Sequence, residues 1–414
     1  MTTKTLAIHG GLRAKSTPYG AGKRFGKEEE DAVLETLRSQ DLFYVTGKRV
    51  FETERIICEL YGVEHAVLCS SGTAAVHTAL AVCGVEAGDE VIVNPVSDWG
   101  TVLGILALQA VPVFCDIDES TFSLDPKAVA AAITPKTKAI ILVHLYGYPA
   151  RAEEIAQIAR SKGIKLIEDC AQTAYGFIKG QPVGTFGDVN AFSTNDSKHI
   201  SSGEGGYVIT RDSHLAKMAR LFTDKGYQRN PSPPRGKQNV AFVAYNYRMS
   251  ELNAAVLGVQ LKSLPSQIKA RQRFHDRLLS ELGSIQGYSP LEVLAGCQGA
   301  YWAMLGRLDL GQFSVNRDQI LEALVAEGIP ASPSLSPCGV LYKNAVFRNK
   351  TPFLMSQNRS AEFLASRDYR DGLCPLAEKI LDSVLIIDCK PYFNEVDAIE
   401  TAAGIRKVLE FYRR

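Results

Sequence analysis

LIEDCAQTAYGFIKGQPVGTFGDVNAFSTNDSKHISSGEGG, residues 166–206, is the stretch on which the reading of this chain turns. Two apolar runs in and around it, KLIED (165–169) and VNAFS (189–193), end on a carboxylate, Asp169, and a hydroxyl, Ser193. Lys198 follows five residues after the second run, and a Gly-rich GEGG (203–206) closes the segment. The runs are dense in apolar residues rather than strictly alternating, the pattern of strands buried on both faces of a parallel or mixed sheet.

The same rhythm extends outward. HAVLC (65–69), EVIVN (90–94), VPVFCD (111–116), KAIILVHLYG (138–147) and GYVIT (206–210) are further short apolar runs. Between them lie helical patterns: KEEEDAVLETLRSQ (27–40), DPKAVAAAI (125–133) and RAEEIAQIARSKG (151–163), the last ending at a C-terminal Gly163. Strands alternating with helices predict an α/β fold. RNPSPPRGK (229–237) reads as a loop, since its Pro and Gly sustain neither regular element. From Ser250 a long helical segment runs to Leu282 and leads into shorter mixed elements. The expectation is a large domain over 1–262 and a smaller C-terminal α/β domain over 263–414.

Composition narrows the class. The 414 residues are 46% apolar and 22% charged, enough for a sizeable core. Lys and Arg number 46 against 45 Asp and Glu, which argues against a nucleic-acid or membrane-surface partner. Nine scattered cysteines, with no C-x-x-C pair and no clustering with His, read as reduced thiols and predict no metal site. MTTKTLAIHGG at the N-terminus has no long apolar core, and the run 102–114 is broken by Gln109 and Pro112, so a cytoplasmic protein is expected.

Ligands of open α/β sheets sit at the carboxyl ends of the strands, where these polar residues fall. An isolated Asp or Ser there can equally cap a helix, and a single Lys is usually a solvated surface group. The three together match what pyridoxal phosphate needs: a lysine for a Schiff base, a carboxylate for the protonated ring nitrogen, a hydroxyl for the phosphate. Upstream, CSSGTAAVHTAL (69–80) reads as a strand turning directly into a helix. Gly72 and Thr73 then open that helix, where free N–H groups suit a phosphate. Trp99, in NPVSDWGT, can lie flat on a heterocycle or be an ordinary core residue.

In order and spacing, the blocks SSGTAAVHTAL (70–80), the segment 111–150, IEDCAQTAYG (167–176), AFSTNDSKHISSGEGG (191–206) and NYRMSELNAAVLGVQL (246–261) resemble the DegT/DnrJ/EryC1/StrS family of sugar and cyclitol aminotransferases. The resemblance spans nearly the whole chain. It implies a fold-type-I enzyme with a mostly parallel seven-stranded sheet. It further implies that Lys198 carries the cofactor as a Schiff base and moves protons, and that Asp169 holds the pyridinium nitrogen. Gln172 would face the ring oxygen, Gly72, Thr73 and Ser193 the phosphate, and Trp99 the ring face. Asn246 would reach the phosphate from a neighbouring subunit, which implies a homodimer with shared active sites. The small-molecule partners would be an amino donor, glutamate or glutamine, and a ketone acceptor.

Family members that replace the lysine by histidine act as dehydratases; here Lys198 is kept and His199 stands beside it as a structural or substrate-wall residue. FSTNDSK departs from the commoner Phe-Ser-Phe start of that segment, and 332–340 and 382–395 depart from the family's histidine-containing and leucine-proline patterns. These regions choose the substrate, so a cyclitol or other secondary-metabolite ketone stands beside a nucleotide-linked keto sugar as acceptor. A dehydratase and a non-catalytic regulator of the same fold are the alternatives. A nicotinamide oxidoreductase is disfavoured by the lack of G-x-G-x-x-G after the first strand.

Overall fold

The computed structural model describes residues 5–414 except 230–233, 235, 238 and 354–360. The loop expected over 229–237 lies largely outside the described residues.

The seven apolar runs form one sheet: β1 (His65–Cys69), β2 (Glu90–Val93), β3 (Val111–Phe114), β4 (Thr137–Val143), β5 (Lys165–Asp169), β6 (Asn190–Ser193) and β7 (Gly206–Thr210). Their order is β1-β7-β6-β5-β4-β2-β3, and only β7 runs antiparallel to its neighbours. Alternate residues of each strand feed two cores. Val91, Val93, Ile141, Val143 and Ile167 face one, while Ile92, Ile140, Leu142 and Leu166 face the other. Burial on both faces explains why the runs are continuously apolar rather than alternating.

Helices cover both faces. α1 (Lys27–Arg38), α2 (Arg49–Tyr61), α3 (Gly72–Val82), α4 (Gly100–Ala107), α5 (Pro126–Ala132), α6 (Ala152–Lys162) and α7 (Ser213–Thr223) precede the long α8 (Glu251–Leu282). α6 ends as expected, with Gly163 at φ 66° donating its N–H back to the last turn. Ser250 caps α8, and Pro265 is accommodated within it.

The C-terminal part carries a second, antiparallel sheet of β8 (Tyr288–Pro290), β9 (Ala303–Leu308), β10 (Ala331–Ser332) and β11 (Val384–Asp388), in the order β8-β9-β11-β10. Helices α9 (Arg317–Ala326), α10 (Pro375–Ser383) and α11 (Glu395–Tyr412) accompany it, and α11 packs along α8. Residue 262 falls inside α8, and one of the two cores runs on from the large sheet into this part through Phe274 and Leu278. The N-terminal segment is tied here as well. Lys15 Nζ sits 2.9 Å from Asp397 and 2.8 Å from Glu400, and Glu327 accepts the backbone N–H groups of Ala7 and Ala14. Among the described residues no helix is long and apolar enough to cross a membrane.

Candidate active site

The carboxyl ends of β2, β4, β5 and β6 and the N-termini of α3 and α4 enclose a cavity of about 280 Å³. Gly72, Thr73, Asp169, Gln172, Ser193 and Lys198 all line it, although the sequence separates them by up to 126 positions (198 − 72). Trp99 and Asn246 do not. The ring of Trp99 packs against Phe347 at 5.7 Å, and Asn246 lies exposed, bridged to Asp224.

At the α3 end, Ser71 Oγ accepts the N–H of Ala74, closing the first turn. The N–H groups of Gly72 and Thr73 have no protein acceptor among the described residues, so they and the positive end of α3 offer an anion site. Ser193 lies so close that a Cβ on Gly72 would meet its Cβ at 2.6 Å; only glycine fits there. A glycine, two free N–H groups and a hydroxyl on one wall suit a phosphate.

Asp169 is buried at the end of β5. Its Oδ2 accepts from Thr101 Oγ1 at 2.8 Å and its Oδ1 from the N–H of Ala171 at 3.1 Å. Burial raises its pKa, while those hydrogen bonds and the charge of Lys198 oppose the rise. Ser97 supports Thr101 through a 2.7 Å hydroxyl contact. Beside Asp169, Glu168 is fully committed, accepting from Gly184 and Gly187 (both 2.8 Å) and Phe186 (2.6 Å). It also pairs with His144 Nε2 at 3.0 Å, and His144 Nδ1 accepts from Ala150. Both ring nitrogens of His144 are therefore used, so its proximity to Glu168 and Cys170 makes a locked support for the end of β5 rather than a metal centre.

Lys198 follows a turn in which its N–H bonds the carbonyl of Asn195 at 2.9 Å. Arg24 clamps the same turn by donating to the carbonyls of Asp196 and Lys198. Desolvation lowers the Lys198 pKa, and the charges of Asp169 and Asp98 work against that. An amine with lowered pKa opposite a buried carboxylate is equipped to act as nucleophile and base. Its Nζ stands 4.5 Å over the ring of Trp302, which donates through Nε1 to the Ser197 carbonyl at 2.8 Å. Gln172 Oε1 accepts the N–H of Tyr146 at 3.1 Å, leaving its amide nitrogen for the cavity.

Thr101, Asp98, Asn195 and Trp302 are contributors that sequence reading missed. Asp98 and Thr101 carried a local signal: in SDWGT, Asp98 stands just ahead of α4 and accepts the N–H of its first residue, Gly100, at 2.8 Å, and both residues line the cavity. Trp302 carried none, since it arrives from the C-terminal sheet.

The chain matches the DegT/DnrJ/EryC1/StrS aminotransferase family over residues 23–399. It is 37% identical over 395 residues to the L-glutamine:2-deoxy-scyllo-inosose aminotransferase of Streptomyces kanamyceticus, covering 92% of this chain and 88% of that one. It is 34% identical to the GDP-perosamine synthase of Caulobacter vibrioides, covering 78% and 85%. Among solved structures, 3-amino-5-hydroxybenzoic acid synthase superposes with a TM-score of 0.82 at 27% identity, over 95% of this chain and 99% of that one. Matched along most of its length, the chain belongs to the DegT/DnrJ/EryC1/StrS family and is a pyridoxal-phosphate-dependent aminotransferase.

Proposed function

We propose that this aminotransferase moves the amino group of glutamine onto the ketone of a cyclitol, with Lys198 as the cofactor-bearing and proton-moving residue. The observation that carries the reading is the convergence of Gly72, Thr73, Asp169, Gln172, Ser193 and Lys198 on one cavity. The inosose aminotransferase relative supports the cyclitol, as do the lack of the family's histidine-containing pattern in 332–340 and of the sugar-nucleotide members' leucine-proline pattern in 382–395. The perosamine synthase relative favours a second reading, a nucleotide-linked keto sugar as acceptor.

Pyridoxal phosphate bound in this cavity supplies an electron-withdrawing ring that takes up the electron pair left when a proton departs from carbon. Gly72, Thr73 and Ser193 would hold the phosphate, and Asp169, kept in place by Thr101 and Ala171, would pair with the ring nitrogen. Lys198 Nζ accepts the proton from the α-carbon of the donor. In the return half-reaction it delivers a proton to the carbon that was the acceptor's carbonyl. Carbon acidity is controlled from the Asp169 side and proton traffic from the Lys198 side.

Titrating the purified holoenzyme with glutamine and with glutamate tests this. Loss of the cofactor's visible band with release of the matching 2-oxo acid is expected. Its return on adding an inosose, but not a nucleotide-linked keto sugar, selects the cyclitol. A band indifferent to both donors overturns transamination and favours a dehydratase or a regulator.

The homodimer, the division into domains over 1–262 and 263–414, and the reach of Asn246 into a neighbouring subunit belong to the same reading. Exposed Leu34, Leu37, Leu42, Phe43 and Phe51 on and beside α1 and α2 offer apolar surface for a second copy. Sedimentation equilibrium returning a monomer that is fully active overturns the shared site.

A further inference from the structure

Trp302 stands immediately ahead of β9 in the C-terminal part and meets the turn that carries Lys198 in two ways. Its indole Nε1–H donates to the Ser197 carbonyl at 2.8 Å, and the Lys198 Nζ lies over its ring, 4.5 Å from the centroid. Arg24 donates to the carbonyls on either side, those of Asp196 and Lys198. Three consecutive carbonyls of this turn are therefore held by side chains from outside the large sheet. A lysine is a flexible four-carbon stem ending in a point charge. Where it rests is set by what its ammonium meets, and the face of an aromatic ring attracts a cation at this range.

Trp302 is itself braced by a strained residue. Tyr146 has φ 52° and ψ 22°, in the left-handed region that a bulky side chain rarely occupies. Such a conformation persists only where its surroundings impose it. Three hydrogen bonds do so here. The Tyr146 N–H donates to Gln172 Oε1 at 3.1 Å, its carbonyl accepts the Trp302 N–H at 2.9 Å, and its hydroxyl donates to the Ser334 carbonyl at 3.2 Å. The outcome is a tyrosine ring 4.9 Å from that of Trp302, their planes 34° apart. Gly147 follows at φ 94°, where a Cβ would meet the Tyr301 nitrogen at 2.2 Å, so only glycine admits this close approach. A continuous set of contacts thus leaves the cavity at Gln172, passes through Tyr146 and Trp302, and returns to it at the Lys198 amine.

We propose that Trp302 is a positioning residue for the reaction: its N–H fixes the lysine-bearing turn, and its ring is where the Lys198 amine rests as a cation whenever it is not bonded to the cofactor. This role rests on the reading of Lys198 as the cofactor-bearing and proton-moving residue. A lysine that takes up a proton must hold it in one place until it is returned, and a ring offers that place without being a base that competes for it. The ionisable groups around the amine are Asp169 at the end of β5, Asp98 ahead of α4, Glu204 in the Gly-rich segment, Arg24, and His199, which burial keeps neutral. On the far side of Trp302 stand Arg271, donating to its carbonyl, and Asp388 beside Ala303, paired with Lys390. Burial lowers the pKa of the amine, and Asp169 and Asp98 oppose this. The ring acts in the same sense as those acids, by favouring the ammonium. Its removal therefore lowers the pKa, and the acid limb of the rate moves to lower pH.

Enzyme labelled with 5-fluorotryptophan and loaded with pyridoxamine phosphate, which leaves the lysine amine free, tests the contact by fluorine NMR. The chain has two tryptophans, Trp99 and Trp302, and the Trp302 signal is the one missing from Trp302→Phe. That signal is expected to titrate with pH in one step, and the step to vanish in Lys198→Ala. In turnover, Trp302→Leu is expected to lower kcat about 10–10²-fold with the KM for glutamine unchanged, and to move the acid limb down by about one pH unit. Trp302→Phe, which keeps a ring but loses the N–H, should recover part of the rate and leave the limb in place. A Trp302 signal indifferent to pH, or a step that survives in Lys198→Ala, overturns the proposal even where Trp302→Leu does not fold. So does an acid limb that stays in place in Trp302→Leu or moves equally in both variants. A raised KM with kcat unchanged overturns it too, and makes Trp302 a substrate wall. The two failures stay apart: a Lys198→Ala enzyme that still turns over removes the Lys198 reading, whereas the fluorine titration stands on the lysine–tryptophan contact alone.

Discussion

Lys198→Ala protein is expected to fold and yet to lose turnover by a factor of about 10²–10⁴, the span associated with removing a positioned general acid–base group. The loss should fall on kcat, since the residues around the α3 N-terminus proposed to hold the phosphate are untouched. Lys198→Arg should fare no better, because a guanidinium stays protonated throughout the accessible pH range and cannot accept a proton from carbon. Added methylamine, small enough to enter the vacated space, should restore part of the rate. The pH profile gives an independent reading. Burial lowers the Lys198 pKa, so the rate should rise with pH and level off below the point expected for an ordinary lysine. Asp98 raises that pKa by its charge, so Asp98→Asn, which preserves the acceptor for the Gly100 N–H, should move the acid limb to lower pH. Stopped-flow measurement of 2-oxo acid release by the three variants decides the matter. An unaltered rate in Lys198→Ala sinks the assignment, and an acid limb moved upward by Asp98→Asn sinks the electrostatic account.

The division between what was legible in the chain and what was not follows the range of the interactions. Strands β1 to β7 were legible because burial on both faces forces a local property, continuous apolarity, on every one of them. The direction of β7 was not, since GYVIT reads the same either way. It runs antiparallel because the turns between Ser193 and Gly206 bring the chain straight back beside β6. Asp169, Ser193 and Lys198 were legible because each stands at or just after a strand end, and Gly72 and Thr73 because a strand turns into a helix there without a linker. The cation–π contact of Lys198 with Trp302 was invisible. It joins residues 104 positions apart (302 − 198) through the packing of the second sheet, which no local pattern encodes. Trp99 is the opposite case. Its neighbourhood was legible and its side chain was not: it turns to Phe347 while Thr101, two residues on, takes the place beside Asp169.

Asp169→Asn is expected to lower kcat by about two orders of magnitude, the equivalent of about 3 kcal/mol, the scale on which removing one partner of a buried charge pair is felt. Asparagine keeps the shape, its oxygen accepting the Ala171 N–H and its amide nitrogen donating to the Thr101 hydroxyl, so the change isolates charge from packing. The physical reason for a large effect lies in the burial itself. Desolvation alone would push this carboxyl toward its neutral form, and the hydrogen bonds from Thr101 and Ala171, with the charge of Lys198, are what favour the anion. Such an arrangement is costly to build, and it rewards the site only if a cation arrives opposite it. The proposed protonated ring nitrogen is that cation. Cofactor occupancy should change little, because Gly72, Thr73 and Ser193 are undisturbed. Thr101→Val, which removes one hydrogen bond to the charged group, should cost about 1.5–2 kcal/mol in the wild-type background. In the Asp169→Asn background the same change should cost less, since the charge it supported is gone. Single-turnover rates for the four proteins of this cycle, with occupancy read from absorbance, supply the test. Equal Thr101→Val effects in both backgrounds would mean that the threonine acts by packing. A full kcat in Asp169→Asn would mean that no cation is held by this acid in the reaction.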